Sequence, residues 1–208
     1  PPAQCTLGVC CLNGIGMEPD EVQGVSWLER AAAQGFPRAQ SILGVCRENG
    51  TGGLSDPAQA AELYLQAARQ GYAPAQCNLG VCYLNGIGVE LDGAQALEWL
   101  ERAAAQGFPR AQCILADCLQ EGELCRADPV RAAELYREAA GTGYLPGVCD
   151  LGLCYENGTG VEPDPAQAAA LYRQAAQEGY PPAQCNLAVC LLSGIGVERD
   201  DAQAVSWL

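Results

Sequence analysis

Ala75-Gln76-Cys77 stands 36 residues after Ala39-Gln40-Ser41 and 36 residues before Ala111-Gln112-Cys113. The same position returns at Ala3-Gln4-Cys5, Gly147-Val148-Cys149 and Ala183-Gln184-Cys185, without one insertion or deletion. A fixed period of this length marks a repeat protein, in which no unit can bury its apolar face alone. The expected units are 3–38, 39–74, 75–110, 111–146 and 147–182, with a sixth, 183–208, that breaks off. Together they predict a single solenoid domain. The chain begins at Pro1 without an initiator methionine and stops inside a repeat, as expected of a piece of a longer protein. A signal peptide therefore cannot be judged.

A second pattern overlies the first. Units one and three share Trp-Leu-Glu-Arg-Ala-Ala-Ala-Gln-Gly-Phe-Pro-Arg, at 27–38 and 99–110. Units two, four and five carry an Ala-Glu-Leu-Tyr or Ala-Ala-Leu-Tyr version ending at Tyr64, Tyr136 and Tyr172. Duplication of a two-repeat block accounts for most of this.

Each unit reads as two helices, A and B. In the third unit helix A is predicted from about Pro74 to Asn85: Ala75, Leu79, Cys82 and Tyr83 fall on one stripe at helical spacing. Pro74 suits the first turn, and Asn85-Gly86 supplies the left-handed conformation of a C-cap. Asp56-Pro57, Asp128-Pro129 and Asp164-Pro165 place a capping carboxylate before a first-turn proline, which starts helix B. Gly71, Gly107, Gly143 and Gly179 stop it. Stacking of neighbouring units then buries both helices, each Å² of apolar surface contributing roughly 25 cal/mol.

Composition excludes much chemistry. The chain has no histidine, and all eleven basic residues are arginine. Ser-His-Asp triads, Cys-His pairs, Cys/His zinc sites, Schiff-base lysines and P-loop lysines are thereby excluded. A net charge of −14 speaks against nucleic acid, whose phosphates need a basic patch. It serves solubility, attraction of a basic partner, or both. No apolar run approaches the roughly 18 residues of a membrane helix, so membrane insertion is not expected.

The residues Ala75, Leu79, Gly80, Tyr83, Gly86-Ile87-Gly88-Val89, Asp92, Ala103-Ala104 and Gly107 resemble the Sel-one-like repeat family, a branch of the tetratricopeptide superfamily. The spacing holds along the whole chain. It weakens in unit four, where Ala116 replaces the small glycine, Leu119 the tyrosine and Leu124 the second loop glycine; in unit one Cys11 takes the tyrosine position. The resemblance implies an all-α, right-handed alpha-alpha superhelix with helix A lining its concave side. It also implies an adaptor in protein assemblies.

Thirteen cysteines invite a disulfide or metal reading. Five units carry Cys-x4-Cys on helix A (5/10, 77/82, 113/118, 149/154, 185/190). Five residues along a helix rise about 7.5 Å and turn roughly 140°. The Cα atoms are then about 8.6 Å apart, beyond the roughly 7 Å limit of a disulfide. Equivalent cysteines in stacked units, at about 8–10 Å, bridge no better. A Helicobacter cysteine-rich subfamily of similar repeats ties helix B to the next helix A at positions corresponding to Ala104 and Gln112, and neither carries cysteine here. Regular spacing on one helix does not converge four sulfurs on a metal. No metal or cofactor is expected. Cys10, Cys46, Cys82, Cys118, Cys154 and Cys190 are expected in a tight core position, as small hydrophobes. Unpaired thiols favour a reducing compartment, hence the cytoplasm.

On the geometry the resemblance implies, the concave face is lined in unit three by Cys77, Val81, Leu84 and Asn85. In unit four it is lined by Cys113, Asp117, Gln120 and Glu121, and in unit five by Cys149, Leu153, Glu156 and Asn157. The expected ligand is a basic or amphipathic peptide segment of a partner protein, steered by Asp117, Glu121 and Glu156. Capping competes as an explanation for Asn85 and Asn157. Trp27, Trp99 and Trp207 are expected in inter-helix packing. The main expectation is a monomeric, non-catalytic protein–protein interaction scaffold, with end-to-end stacking expected only in crystals. The alternative is an exported cysteine-rich protein with penicillin-binding or weak β-lactamase-like activity.

Overall fold

The computed structural model describes residues 1–207, which form twelve α-helices and, among the described residues, no strand. The helices fall into two compact units, Pro1–Gln106 and Gly107–Leu208.

In the first unit the A helices are α1 (Pro2–Asn13), α3 (Pro37–Asn49) and α5 (Ala73–Asn85). Their B partners are α2 (Glu21–Ala32), α4 (Pro57–Arg69) and α6 (Gly93–Ala105). In the second unit A helices α7 (Pro109–Glu121), α9 (Leu145–Asn157) and α11 (Pro181–Ser193) alternate with α8 (Pro129–Gly141), α10 (Pro165–Gln177) and the short α12 (Asp201–Trp207). Every A helix packs on its own B helix, and inside each unit every B helix packs on the A helix that follows.

One aspartate fixes each A-to-B turn twice. Asp56 accepts the Gln59 N–H as the N-cap of α4 while its own N–H donates to the Arg47 carbonyl of α3 at 2.8 Å. Asp92, Asp128 and Asp164 do the same, their N–H groups reaching Tyr83, Leu119 and Tyr155. Each A helix ends on a left-handed glycine, such as Gly86 at φ 66°. The second loop glycine docks the turn against the preceding B helix: a Cβ on Gly160 would lie 1.9 Å from the Pro129 carbonyl oxygen. Leu124 occupies this position in the fourth repeat. Among the described residues none but glycine has positive φ, so the Gly122–Asp128 turn follows another path.

Glutamine closes the α2–α3, α4–α5 and α10–α11 joints, whereas Val148 stands at its position in α9. Gln40 donates to the Ala32 carbonyl and to Gln66, and accepts from Gln70 at 2.8 Å. Gln76 donates to the Ala68 carbonyl at 3.1 Å and accepts from Gln106 at 2.7 Å, and Gln184 donates to Ala176. These are the positions corresponding to Ala104 and Gln112, so a buried amide ties together what a disulfide ties in the cysteine-rich subfamily. The core around them is small: Ala60, Ala67, Ala75, Ala103, Ala111, Ala139, Ala175 and Ala183 are all fully buried.

Candidate protein-binding face

All thirteen cysteines are unbridged; ten are buried, Cys10 and Cys125 half-buried, and Cys185 exposed. Burial first, and neighbouring carboxylates second, push the thiols up: Cys82 and Cys113 to about 12, Cys118, Cys149 and Cys154 to about 11. Thiols held this far above neutrality are not nucleophiles. The row proposed from sequence as groove-lining sits below the surface: Cys77, Cys113 and Cys149 expose 0, 6 and 3% of their area. They support the face but offer little for a ligand to touch.

Of the remaining residues, Val81 and Leu84 on α5 are half-buried and Asn85 is exposed, its side chain donating to the Val81 carbonyl at 3.0 Å. That bond gives Asn85 a helix-closing role. In the second unit α7 and α9 lie side by side. Asp117, Gln120, Glu121, Leu153 and Asn157 are exposed there and Glu156 is half-buried.

Two of the expected steering carboxylates have partners inside the protein. Tyr136 of α8 donates its hydroxyl to Asp117 at 2.5 Å, and Tyr172 of α10 donates to Glu156 at 2.6 Å. In the first unit Tyr64 donates to Glu48 at 2.8 Å. The hydroxyls carry apolar ring packing to a polar end at the surface. Burial and the hydrogen-bonded carboxylate both hold Tyr136 and Tyr172 in the protonated form.

The sequence reading missed Asp150. It lies half-buried on α9, and burial together with the Asp117 charge lifts its pKa to about 6. Burial also raises Asp117, opposed by the Tyr136 hydrogen bond and reinforced by Glu121. The residue 36 positions on either side offered a signal: Asn186 occupies the same helical position as Asp150, and its amide donates to Cys149 at 3.5 Å. An acid placed where other repeats use asparagine, isoleucine or threonine stands out only when the repeats are aligned. Gln120 donates to Cys154 at 3.5 Å, which ties it to α9.

Among the described residues no cluster of three or more His, Cys, Asp or Glu side chains is placed to hold a metal ion. No described helix is long and apolar enough to cross a membrane.

Paired helices repeating every 36 residues, with an alanine-rich core and a polar face on the A helices, define an all-α repeat solenoid of the kind that binds other proteins. The Sel1 repeat model matches residues 1–36, 37–72, 73–108, 109–143, 146–180 and 181–208, so the chain belongs to the Sel1 repeat family. It superposes on a Sel1 repeat protein from Oxalobacter formigenes with a TM-score of 0.91 at 31% identity, covering 100% of this chain and 83% of that one. A protective antigen of uropathogenic Escherichia coli strains, c5321, which displays the same fold, gives a TM-score of 0.86 at 38% identity. That match covers 99% of this chain and 44% of the antigen. The immunity protein Pa5087 of Pseudomonas aeruginosa, at 20% identity and a TM-score of 0.65 over 99% of this chain and 80% of that one, shares the fold. No curated protein matches the sequence. Sel1 repeat folds commonly mediate protein–protein interaction and are generally non-catalytic scaffolds.

Proposed function

We propose that the chain is a non-catalytic adaptor whose α7–α9 face holds a basic or amphipathic segment of a partner protein. The observation that carries this reading is the crowding of like charges: Asp117 raises the cost of ionising the half-buried Asp150, and Glu121 raises that of ionising Asp117. A guanidinium or ammonium group laid between α7 and α9 relieves that repulsion. The exposed Leu153 beside them offers an apolar contact. Steering by the net charge of −14 speeds encounter with such a segment. The buried, unbridged thiols fit work in a reducing compartment such as the cytoplasm, and the adaptor is proposed to act as a monomer.

Asp117 and Glu156 are poor choices for the test, because replacing either also frees a tyrosine hydroxyl. Glu121 is exposed and closes α7. The full chain is titrated at low salt with a fluorescent peptide of alternating arginine and leucine. Glu121→Arg and Asp150→Asn should each weaken binding several-fold, and binding by the unaltered chain should fall as salt rises. Equal affinity for all three proteins at low salt would sink the reading.

A further inference from the structure

A second surface lies in the first unit, on the side of the B helices. Between α2 and α4 a cavity of about 270 Å³ opens over α3, lined by Glu29, Ala32, Ala33, Leu43, Arg47, Gln59, Glu62, Leu63 and Gln66. Its size is just under the ~300–1,000 Å³ of small-molecule pockets and suits a single large side chain.

The repeat itself shows what fits there. Thirty-six residues on, the equivalents of Ala32, Leu43, Glu29, Arg47 and Leu63 are Ala68, Leu79, Leu65, Tyr83 and Trp99. Trp99 is 7% exposed and packs in one cluster with Ala68 and Leu79, flanked by Leu65 and Tyr83. Its indole also lies 4.6 Å from the Arg102 guanidinium carbon. The indole Nε1 has no hydrogen-bond partner, so the ring is there for its shape and its face. In the earlier repeat, Leu63 is shorter and Arg47 replaces the tyrosine. What the third repeat fills with its own tryptophan, the second leaves open.

Arg47 forms one wall. It pairs with Glu29 while its Nε is buried without a hydrogen-bond partner. At no other repeat does this position carry a charge: Cys11, Tyr83, Leu119, Tyr155 and Leu191 stand there. A guanidinium beside an apolar floor is a favourable setting for an aromatic ring, as Arg102 and Arg30 show against Trp99 and Trp27. The mouth also carries the exposed Glu62, which is complementary to positive charge flanking that ring.

We infer that the hollow between α2 and α4 is a docking pocket for a tryptophan side chain of a partner protein, presented in a basic segment. It shares no residue with the α7–α9 face, so either site can fail without the other.

The test uses the full chain with labelled alanine and leucine methyl groups, followed by NMR. The probe is the capped tripeptide lysine-tryptophan-lysine, with lysine-alanine-lysine and free indole as controls. Expected are saturable shifts of the Ala32, Ala33, Leu43 and Leu63 methyls with the tryptophan peptide, stronger than with either control. Leu63→Trp, which copies the third repeat, should weaken binding by about tenfold or more while keeping the thermal midpoint. Ala33→Leu, at an exposed rim position, is the second variant should the first fold poorly. No saturable shift at millimolar probe, or equal binding to both variants, overturns the inference. Equal shifts with lysine-alanine-lysine would reduce it to charge alone. Free indole binding as tightly as the peptide would make the hollow a small-molecule site. The same methyl shifts on concentrating the protein without probe would assign it to a second copy; any of these three results also overturns the inference.

Discussion

Tyr136 of α8 reaches across to α7 and donates its hydroxyl to Asp117 at 2.5 Å, whereas Tyr172 and Tyr64 hydrogen-bond a glutamate three residues further along the A helix. The difference has a local cause. In the second and fifth repeats the ring lies against a glycine: a Cβ on Gly44 or Gly152 would come within 2.5 or 2.6 Å of it. The fourth repeat has Ala116 there, fully buried, and Gln120 where the glutamate would stand. A methyl group occupies the space of the ring edge, and the acid has moved to position 117. Replacing Tyr136 with phenylalanine removes a hydrogen bond to a charged group, which costs about 1.5–3 kcal/mol. Since that bond lowers the Asp117 pKa against the effect of burial, the Asp117 carboxyl should titrate higher in Tyr136→Phe. Urea denaturation and a carboxyl-detected NMR titration measure the two effects. A variant as stable as the parent, with Asp117 unmoved, would show the contact to be idle.

Asp150 gives the protein a pH dependence of opposite sign to that of a salt-bridged acid. Its folded pKa is raised to about 6, by burial first and Asp117 second, above the ordinary carboxylate value of about 3.9. The folded state is therefore penalised for this group above pH 6. The penalty fades as pH falls from 6 towards 4, because the folded protein takes up the proton first. Asp150→Asn, which installs the residue found at Asn78 and Asn186, should raise stability at pH 7 by about 1–2 kcal/mol after allowance for solvent screening. The advantage should shrink steadily towards pH 4. Denaturation midpoints of both proteins at pH 7, 5.5 and 4 test this; a constant difference across that range would mean the acid is not strained.

The thiols should separate by burial. Cys185 is exposed while its equivalents Cys5, Cys77, Cys113 and Cys149 are buried. A thiol reagent at pH 8 should modify Cys185 quickly, Cys10 and Cys125 slowly, and the ten buried thiols only on unfolding. Cys185→Ser should remove the fast phase. On protein unfolded without prior reduction, intact mass should show thirteen alkylated cysteines. A smaller number would mean disulfides form, against the unbridged arrangement of the structure.

How much of this was visible in the sequence depends on whether the determinant is local. Helix ends were, because Asp56-Pro57 and Asn85-Gly86 are self-contained signals whose caps form within a few residues. The small core positions were as well, since Cys82 and Cys154 repeat in register. The side-chain pairs across helices were not read, although their trace is present. Leu12 and Leu28, Leu84 and Leu100, Glu48 and Tyr64, and Glu156 and Tyr172 change together as apolar or polar pairs at a spacing of 16 residues. Treating Glu156 as a free steering charge ignored the hydroxyl 16 residues away. The hollow beside Arg47 was also missed, because it arises from three substitutions on three helices, none conspicuous alone.

The loop glycines offer the sharpest stability test, because two of them have similar positive φ and differ sharply in what a Cβ would meet. Gly160 and Gly179 have φ of 70° and 81°. A Cβ on Gly179 would meet nothing within 4 Å, whereas one on Gly160 would lie 1.9 Å from the Pro129 carbonyl oxygen. Gly179→Ala thus incurs left-handed backbone strain alone, about 1 kcal/mol. Gly160→Ala incurs the same strain and must also lift the loop from α8, because a carbonyl in the first turn of a helix cannot retreat cheaply. Overpacking of this kind adds about 1–3 kcal/mol. Chemical denaturation should therefore rank Gly160→Ala below Gly179→Ala and both below the parent. Leu124 shows that the repeat tolerates a side chain at this position when the turn is rebuilt. Transplanting the whole turn, residues 122–128 into 158–164, should hence cost less than the single methyl. If the two alanine variants proved equally stable, close docking of the loop on α8 would contribute nothing to the stack.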